Sequence, residues 1–177
     1  MTIGVAQLGT WHVHAAHHVK AARSNAATNA AVVWDSRPGA ARSFGEQHGL
    51  PSQEDLTAVL ARDDVQAVVV DTATTEHFPV ISAALRAGKH VFSEKVLAPT
   101  TREVDALIAL ADEHALVLGV SLQRLIEAPV RTVKRLIDEG RLGRVTGSRI
   151  RYAHHGAVGT PWIPEHFFSL AETGAAP

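Results

Sequence analysis

The feature that most limits how this chain can fold is a rhythm. Short apolar, largely β-branched runs alternate with stretches whose apolar residues recur at helical spacing. The runs are Ile3-Gly4-Val5-Ala6, Ala31-Val32-Val33-Trp34, Val65-Gln66-Ala67-Val68-Val69-Val70, His90-Val91-Phe92 and Leu116-Val117-Leu118-Gly119-Val120. Helical patterns cover His12 to Arg23 and Gly39 to His48. Another opens at Pro51, with Ser52 as N-cap and Asp55 three positions on. Val80, Ile81, Ala84 and Leu85 form the apolar face of a fourth, closed by Gly88. Thr100 and Glu103 make a capping box that opens a fifth, with Val104, Leu107, Ile108 and Ala111 inward. Strands separated by helices of roughly 10–15 residues predict βαβ units. Runs that are apolar throughout, as here, suit a parallel sheet covered on both faces. The expected fold class is α/β, a doubly wound parallel sheet.

The rhythm breaks after Gly143. A helix from about Pro129 ends at Gly140, and Val145 to Tyr152 then alternates partly, as an antiparallel strand would. The expected organisation is a first domain over 1–122, followed over 123–177 by a linker helix and the truncated beginning of a second α/β domain. With that domain's sheet missing, Tyr152, Trp162, Phe167 and Phe168 are expected to be poorly buried, which invites a homo-oligomer.

Composition narrows the function classes. With 177 residues, 46% hydrophobic and 20% charged, the chain can bury a sizeable core. A net charge of -1 argues against a general nucleic-acid binder. The absence of cysteine excludes disulfides, thiol catalysis and thiolate metal sites. No basic leader with an apolar core opens the chain, and no apolar stretch approaches the roughly 20 residues of a membrane span. A cytoplasmic protein that meets neither membrane nor nucleic acid is expected.

The chemistry-bearing residues gather where strands end. Gly9 follows the first strand, where a phosphate-binding turn of the form G-x-G-x-x-G belongs, but Trp11 and His14 take the other two glycine places. Asp35 ends the second strand, where a carboxylate can accept from a ribose diol. It suits equally a turn residue before Arg37-Pro38-Gly39. Asp71-Thr72-Ala73-Thr74-Thr75-Glu76-His77 follows the most apolar strand and suits either ligand contacts or a helix cap from Thr74 or Thr75. Glu94-Lys95 follows the fourth, and its lysine could donate to a substrate hydroxyl. His14 and His18 lie one helical turn apart, as metal pairs do. No HExxH is present and no carboxylate is near in sequence, so the histidines read as helix-surface or loop residues and no metal is expected.

Taken together, these segments resemble the N-terminal half of the Gfo/Idh/MocA (glucose–fructose oxidoreductase/inositol dehydrogenase) family. The family's G-x-G-H-I loop falls on Gly9-Thr10-Trp11-His12-Val13-His14, its T-P-T-x-x-H segment on Thr72 to His77, and its A-G-K-H-V-x-x-E-K-P-L-A signature on Ala87 to Ala98. Gln123-Arg124 through Gly143 is similar to the region linking the family's two domains. The resemblance implies a Rossmann-type fold and an NAD or NADP cofactor, NAD favoured by Asp35. Gly9, Thr10, Trp11, His12 and Val13 would meet the pyrophosphate. Asp35 would lie at the adenosine ribose, with Arg37 able to meet a 2′-phosphate there; Thr72, Thr74 and His77 would lie along the nicotinamide side, and Glu94 would be a further cofactor-binding residue. Lys95 would be the catalytic lysine touching cofactor and substrate. The implied activity is hydride transfer with a sugar, polyol or related hydroxyl or carbonyl substrate. The family's catalytic aspartate–histidine pair belongs to the second domain and has no counterpart here. A non-catalytic nucleotide-binding or interaction module derived from such an enzyme is the other reading. Trp11 in place of glycine must turn its indole aside, and Val96 stands where the family has proline, so a cis bond there is costly.

Overall fold

The computed structural model describes residues 2–151, 153, 155 and 163–174. They divide into two units. One runs through Val120 and takes in the stretch from Pro164 onward; the other is Ser121–Ile163. The stretch from Pro164 thus groups with the residues through Val120.

The first unit is built on five strands: β1 (Ile3–Leu8), β2 (Thr28–Trp34), β3 (Ala67–Val70), β4 (His90–Ser93) and β5 (Leu118–Val120). All four pairings are parallel, and the order across the sheet is β2-β1-β3-β4-β5. Parallel neighbours require crossovers. These are supplied by α1 (Ala15–Ser24), α2 (Ala40–His48) with the short α3 (Leu56–Leu60), α4 (His77–Arg86) and α5 (Thr101–Glu113). Helices on the sheet explain why β1 is apolar but for Gln7: five of its six residues are buried.

The larger core cluster joins Ala6, Leu8, Val32 and Trp34 to Val68, Val70, Ile81, Leu85 and Leu107. Val33 points the other way along β2, as strand alternation requires, and packs with Val19, Ala30 and Leu50 in a smaller cluster. Ile81→Ala should therefore cost about 2–5 kcal/mol, the range for emptying a fully buried large aliphatic site, read as a lowered urea midpoint.

The local signals hold unevenly. The Thr100–Glu103 capping box forms in both directions, and Gly88 turns left-handed past the end of α4. Thr100→Ala should remove about 1 kcal/mol, measured by the same denaturation. At α3, Asp55 is the cap, accepting from the Thr57 amide, while Ser52 forms a lone bridge with Val33 instead. That helix starts later than expected because Pro51 and Gln53 bond to β2: the Val33 amide donates to Pro51 and the Gln53 amide to Val33. Neither Thr74 nor Thr75 caps a helix; Thr74–Glu76 is a 3-10 turn with no side-chain cap.

In the second unit a 3-10 turn (Gln123–Ile126) precedes α6 (Ala128–Asp138), with proline in its first turn. The expected strand from Val145 is not formed: the described residues there carry no strand pairing. A two-sided strand needs a neighbour to take its backbone hydrogen bonds, and none of the described residues supplies one. Tyr152 and Trp162 lie outside the described residues. Phe168 is 48% exposed, as expected, whereas Phe167 is half-buried against Trp11. No helix among the described residues is long and apolar enough to cross a membrane.

Candidate dinucleotide cleft and its histidine-rich edge

The strand order reverses between β1 and β3, and such sheets bind ligands in the crevice beyond the strand ends at that point. Here the loops after β1 and β3 come nearly into contact. Gly9 has φ +87, and a Cβ on it would sit 2.4 Å from the Thr72 amide nitrogen, so backbone conformation and space both demand glycine. The first glycine of the expected turn is thus the one the fold cannot replace.

Asp35 is buried at the end of β2. Its carboxylate accepts from the Thr10 amide and hydroxyl, both at 2.6 Å, from the Arg37 amide at 2.8 Å, and from two guanidinium nitrogens at 3.0 Å. Burial alone would raise its pKa; the Arg37 and Thr10 hydrogen bonds outweigh burial and hold it below the usual carboxylate range. Asp35 thus caps its own turn and also lines the cleft. A cleft of about 380 Å³ lies beside it, walled by Trp11, Arg37, Thr72 and Glu76, and by Glu172 from the C-terminal stretch.

Trp11 is the largest departure from a glycine loop, and its indole has turned aside as required. It is buried, stacked on Phe167 at 4.4 Å between ring centres, and its Nε1 donates to Glu172. His166 Nε2 donates to the Trp11 carbonyl oxygen at 3.0 Å, which fixes the proton of that ring on Nε2. The short helix α7 (Leu170–Thr173) and the turn before it therefore cover this side of the cleft.

A dinucleotide fits these residues at its ribose end. The acidic Asp35, the close Gly9 turn and the buried Thr72 hydroxyl, which has no hydrogen-bond partner among the described residues, all edge the same cleft. At the phosphate end the loop has fewer amides to offer than a three-glycine loop. Thr10 gives its amide to Asp35, Trp11 and His12 give theirs to the Asp71 carbonyl, and His14 donates to His12 Nδ1. Val13 is half-buried in the same turn.

The remaining expected residues lie deeper. Thr74 is buried in its 3-10 turn. His77 is almost fully buried, with Nδ1 at 2.7 Å from the Val96 carbonyl and Nε2 at 3.3 Å from that of Thr72. It therefore braces two loops from within. Burial lowers its pKa, with the two carbonyls opposing. A neutral ring carries one N–H, and the shorter contact to Val96 claims it. Because the folded pKa lies below the ordinary 6.5, the unfolded chain binds the proton more readily. Stability is then present above pH 6.5 and lost as pH falls below it, by at most about 1.4 kcal/mol per pH unit for one proton. His77→Gln should flatten this acid limb in urea midpoints measured between pH 7 and 5; an unchanged slope would contradict the assignment.

Glu94 and Lys95 end β4. Glu94 is fully buried, and it holds Lys95 Nζ at 3.2 Å while that side chain stays 50% exposed. The Lys95–Val96 peptide is cis. Glu94 also corrects the reading of the histidines. It lies 2.8 Å from His14 Nδ1, 3.8 Å from His12 Nε2 and 3.7 Å from His18 Nε2. His18 Nδ1 is 2.8 Å from Asp71 Oδ2. Carboxylates distant in sequence are thus brought among these histidines, and His12 is buried in place of lying on a helix surface. Burial pushes His12 down to about 4, against the pull of Glu94. For His18, burial acts downward but the Asp71 hydrogen bond prevails, so its pKa is raised. Asp71 itself closes the end of β3 and takes a further 2.7 Å bond from Gln7.

Known proteins are similar to this chain in sequence and in fold. A profile described as an oxidoreductase family with an NAD-binding Rossmann fold, Gfo/Idh/MocA, matches residues 2–122. Over 112 residues the chain is 38% identical to a dTDP-3,4-didehydro-2,6-dideoxy-alpha-D-glucose 3-reductase from Actinomadura kijaniata, covering 63% of this chain and 32% of the relative. It is 30% identical over 145 residues to an inositol 2-dehydrogenase from Rhizobium meliloti, covering 82% and 43%. The crystal structure of a 3-ketoreductase from Actinomadura kijaniata, solved with NADP and TDP-benzene, superimposes with a TM-score of 0.69 at 33% identity, over 79% of this chain and 43% of that one. The chain therefore spans less than half the length of these relatives. With its parallel five-stranded sheet, its Gly9 turn and this match over most of its length, the chain belongs to the Gfo/Idh/MocA oxidoreductase family through that family's NAD(P)-binding Rossmann domain.

Proposed function

We propose that this chain provides the cofactor half of an NAD(P)-dependent oxidoreductase. Its reaction would transfer a hydride between the nicotinamide and a carbinol or carbonyl carbon of a sugar, polyol or related ring. The observation that carries this reading is Lys95, anchored by buried Glu94 at the edge of the sheet beside the switch point, in a chain whose relatives reduce or oxidise such substrates. The cofactor, when bound, supplies the hydride acceptor or donor. The chain's own residues do the rest. Asp35 accepts from the ribose, Gly9 keeps the turn close, and Lys95 donates to the reacting oxygen and polarises it. Glu94 holds that ammonium where it can act.

Asp35 already accepts five contacts, more than the roughly four lone-pair positions of a carboxylate. A ribose diol must displace one of these partners, and exposed Arg37 is the easiest to shift. Arg37→Ala should therefore raise the ratio of NAD to NADP affinity by about tenfold, a charge-assisted hydrogen bond being worth about 1.5–3 kcal/mol. Titration calorimetry of both nucleotides against wild type and variant measures it. NAD is the preferred cofactor on this reading, and a wild-type preference for NADP would reverse it.

The second reading, a non-catalytic nucleotide-binding or interaction module, is favoured by one observation. Trp11 is locked under Phe167 and Glu172, and its loop amides are already bonded. The same calorimetry decides: if neither nucleotide binds at millimolar concentration, the oxidoreductase reading of this chain is lost.

A further inference from the structure

The cluster at the ends of β1, β3 and β4 is not explained by dinucleotide binding alone. Three imidazoles and two carboxylates meet there. Asp71 and Glu94 are both fully buried. Buried carboxylates are stable only when paired or coordinating a cation. Asp71 Oδ2 is matched by His18 and Gln7, but its Oδ1, buried with it, has no hydrogen-bond partner among the described residues.

We propose that His12, His14, His18 and Glu94 form a binding site for a divalent transition-metal ion of the zinc type, with Asp71 orienting His18 from behind. Donor atoms of His12, His14 and Glu94 lie within 4.8 Å of one another, as do those of His18, Asp71 and Glu94. Donors about 2.1 Å from a shared ion stand at most about 4.2 Å apart, so closing the His12–His14–Glu94 group asks for movements of about half an ångström, and His18 Nε2, 3.7 Å from Glu94, would swing in to join it. Glu94 is common to both groups and is the hub. His14 and His18 project from one helical turn apart at the start of α1, the spacing of helical metal pairs. His18 turns Nε2 toward Glu94 and gives Nδ1 to Asp71, the carboxylate–histidine arrangement that fixes the ring of a metal ligand. His12 would take the ion on Nε2, moving its proton to Nδ1 and releasing the 3.2 Å contact from the His14 amide. Imidazole-rich donors select zinc, cobalt, nickel or copper over magnesium and calcium. His14 remains 30% exposed, which leaves the ion an open side.

The test needs no nucleotide, so its outcome is separate from that of the cofactor reading. The full chain is stripped with a chelator and titrated with zinc chloride by calorimetry, with metal content after dialysis measured by mass spectrometry. One zinc per chain at micromolar affinity or tighter is expected. The double substitution His12→Gln/His14→Gln should weaken binding at least a hundredfold, with far-UV circular dichroism reporting that the fold is kept. His114→Gln, at the exposed end of α5, should change nothing. Cobalt in place of zinc should give visible absorption typical of nitrogen and oxygen donors in wild type and lose it in the single substitution His14→Gln. No binding by wild type at 1 mM zinc, or affinity unchanged in the folded double variant, overturns the proposal; the second result would mean adventitious binding elsewhere.

Discussion

Gly9→Ala should destabilise the chain by about 3–5 kcal/mol, enough to approach global unfolding in a protein of ordinary marginal stability. Two costs combine. A side chain at φ +87 carries strain of about 1–3 kcal/mol. The new Cβ would also stand 2.4 Å from the Thr72 nitrogen and 2.6 Å from its Cα, both backbone atoms that cannot step aside. Forcing extra volume into packed structure adds about 1–3 kcal/mol. Relief would require the loops after β1 and β3 to part, so nucleotide affinity should fall with stability. Urea denaturation gives the first and calorimetry at 10 °C the second. A variant within 1 kcal/mol of wild type would mean that the Gly9–Thr72 approach is not as close as described.

Trp11→Ala should have the next largest effect, about 3 kcal/mol, the lower end of the range for removing a buried tryptophan. It deletes the stack on Phe167 and leaves Glu172 without its indole donor. The consequence should be local as well as global. The turn at Glu165–Phe168 and α7 should be cleaved by chymotrypsin many times faster, while the sheet stays resistant. The same variant opens the cleft wall, so nucleotide affinity should rise or hold while stability falls. Loss of both together would assign Trp11 to cofactor contact instead of to anchoring the segment. Equal protease resistance in the two proteins would show that Phe167 and Glu172 do not depend on it.

Much of the fold could be read from local chemistry. Period and β-branching place β1 through β5 because each strand is a short apolar run between helical patterns, although β4 buries only alternate residues, and Thr100–Glu103 announces its helix because a capping box is a contact between near neighbours. The misread elements share a cause. Ser52 has the composition of a cap, yet its backbone is recruited by Val33 on β2, a partner that no local pattern reveals. Val145 to Tyr152 alternates like a strand, but alternation describes a face and cannot supply the neighbour that strand pairing needs.

The site divides the same way. Gly9, Asp35 and Lys95 are visible because each sits where a strand gives way to a loop, and the parallel topology carries all such points to one edge. The histidine constellation is invisible to spacing, since His14 and Glu94 are 80 positions apart and meet only through the order of the sheet. Trp11 and Glu172, separated by 161 positions, are more remote still. Asp71 carried one local hint, its position directly after the most apolar strand.

The place of β1 between β2 and β3 also bears on how the polypeptide is made. Ile3–Leu8 leaves the ribosome before the other four strands of this sheet, and its β2 neighbour follows within the next two dozen residues, but its other edge waits for Ala67–Val70. At about 5–20 residues per second, this largely buried strand spends several seconds with one side unpaired. During that interval α1, polar on its outer face, is the nearest cover available to it. An inner strand of the finished sheet is thus the part of the nascent chain most in need of protection.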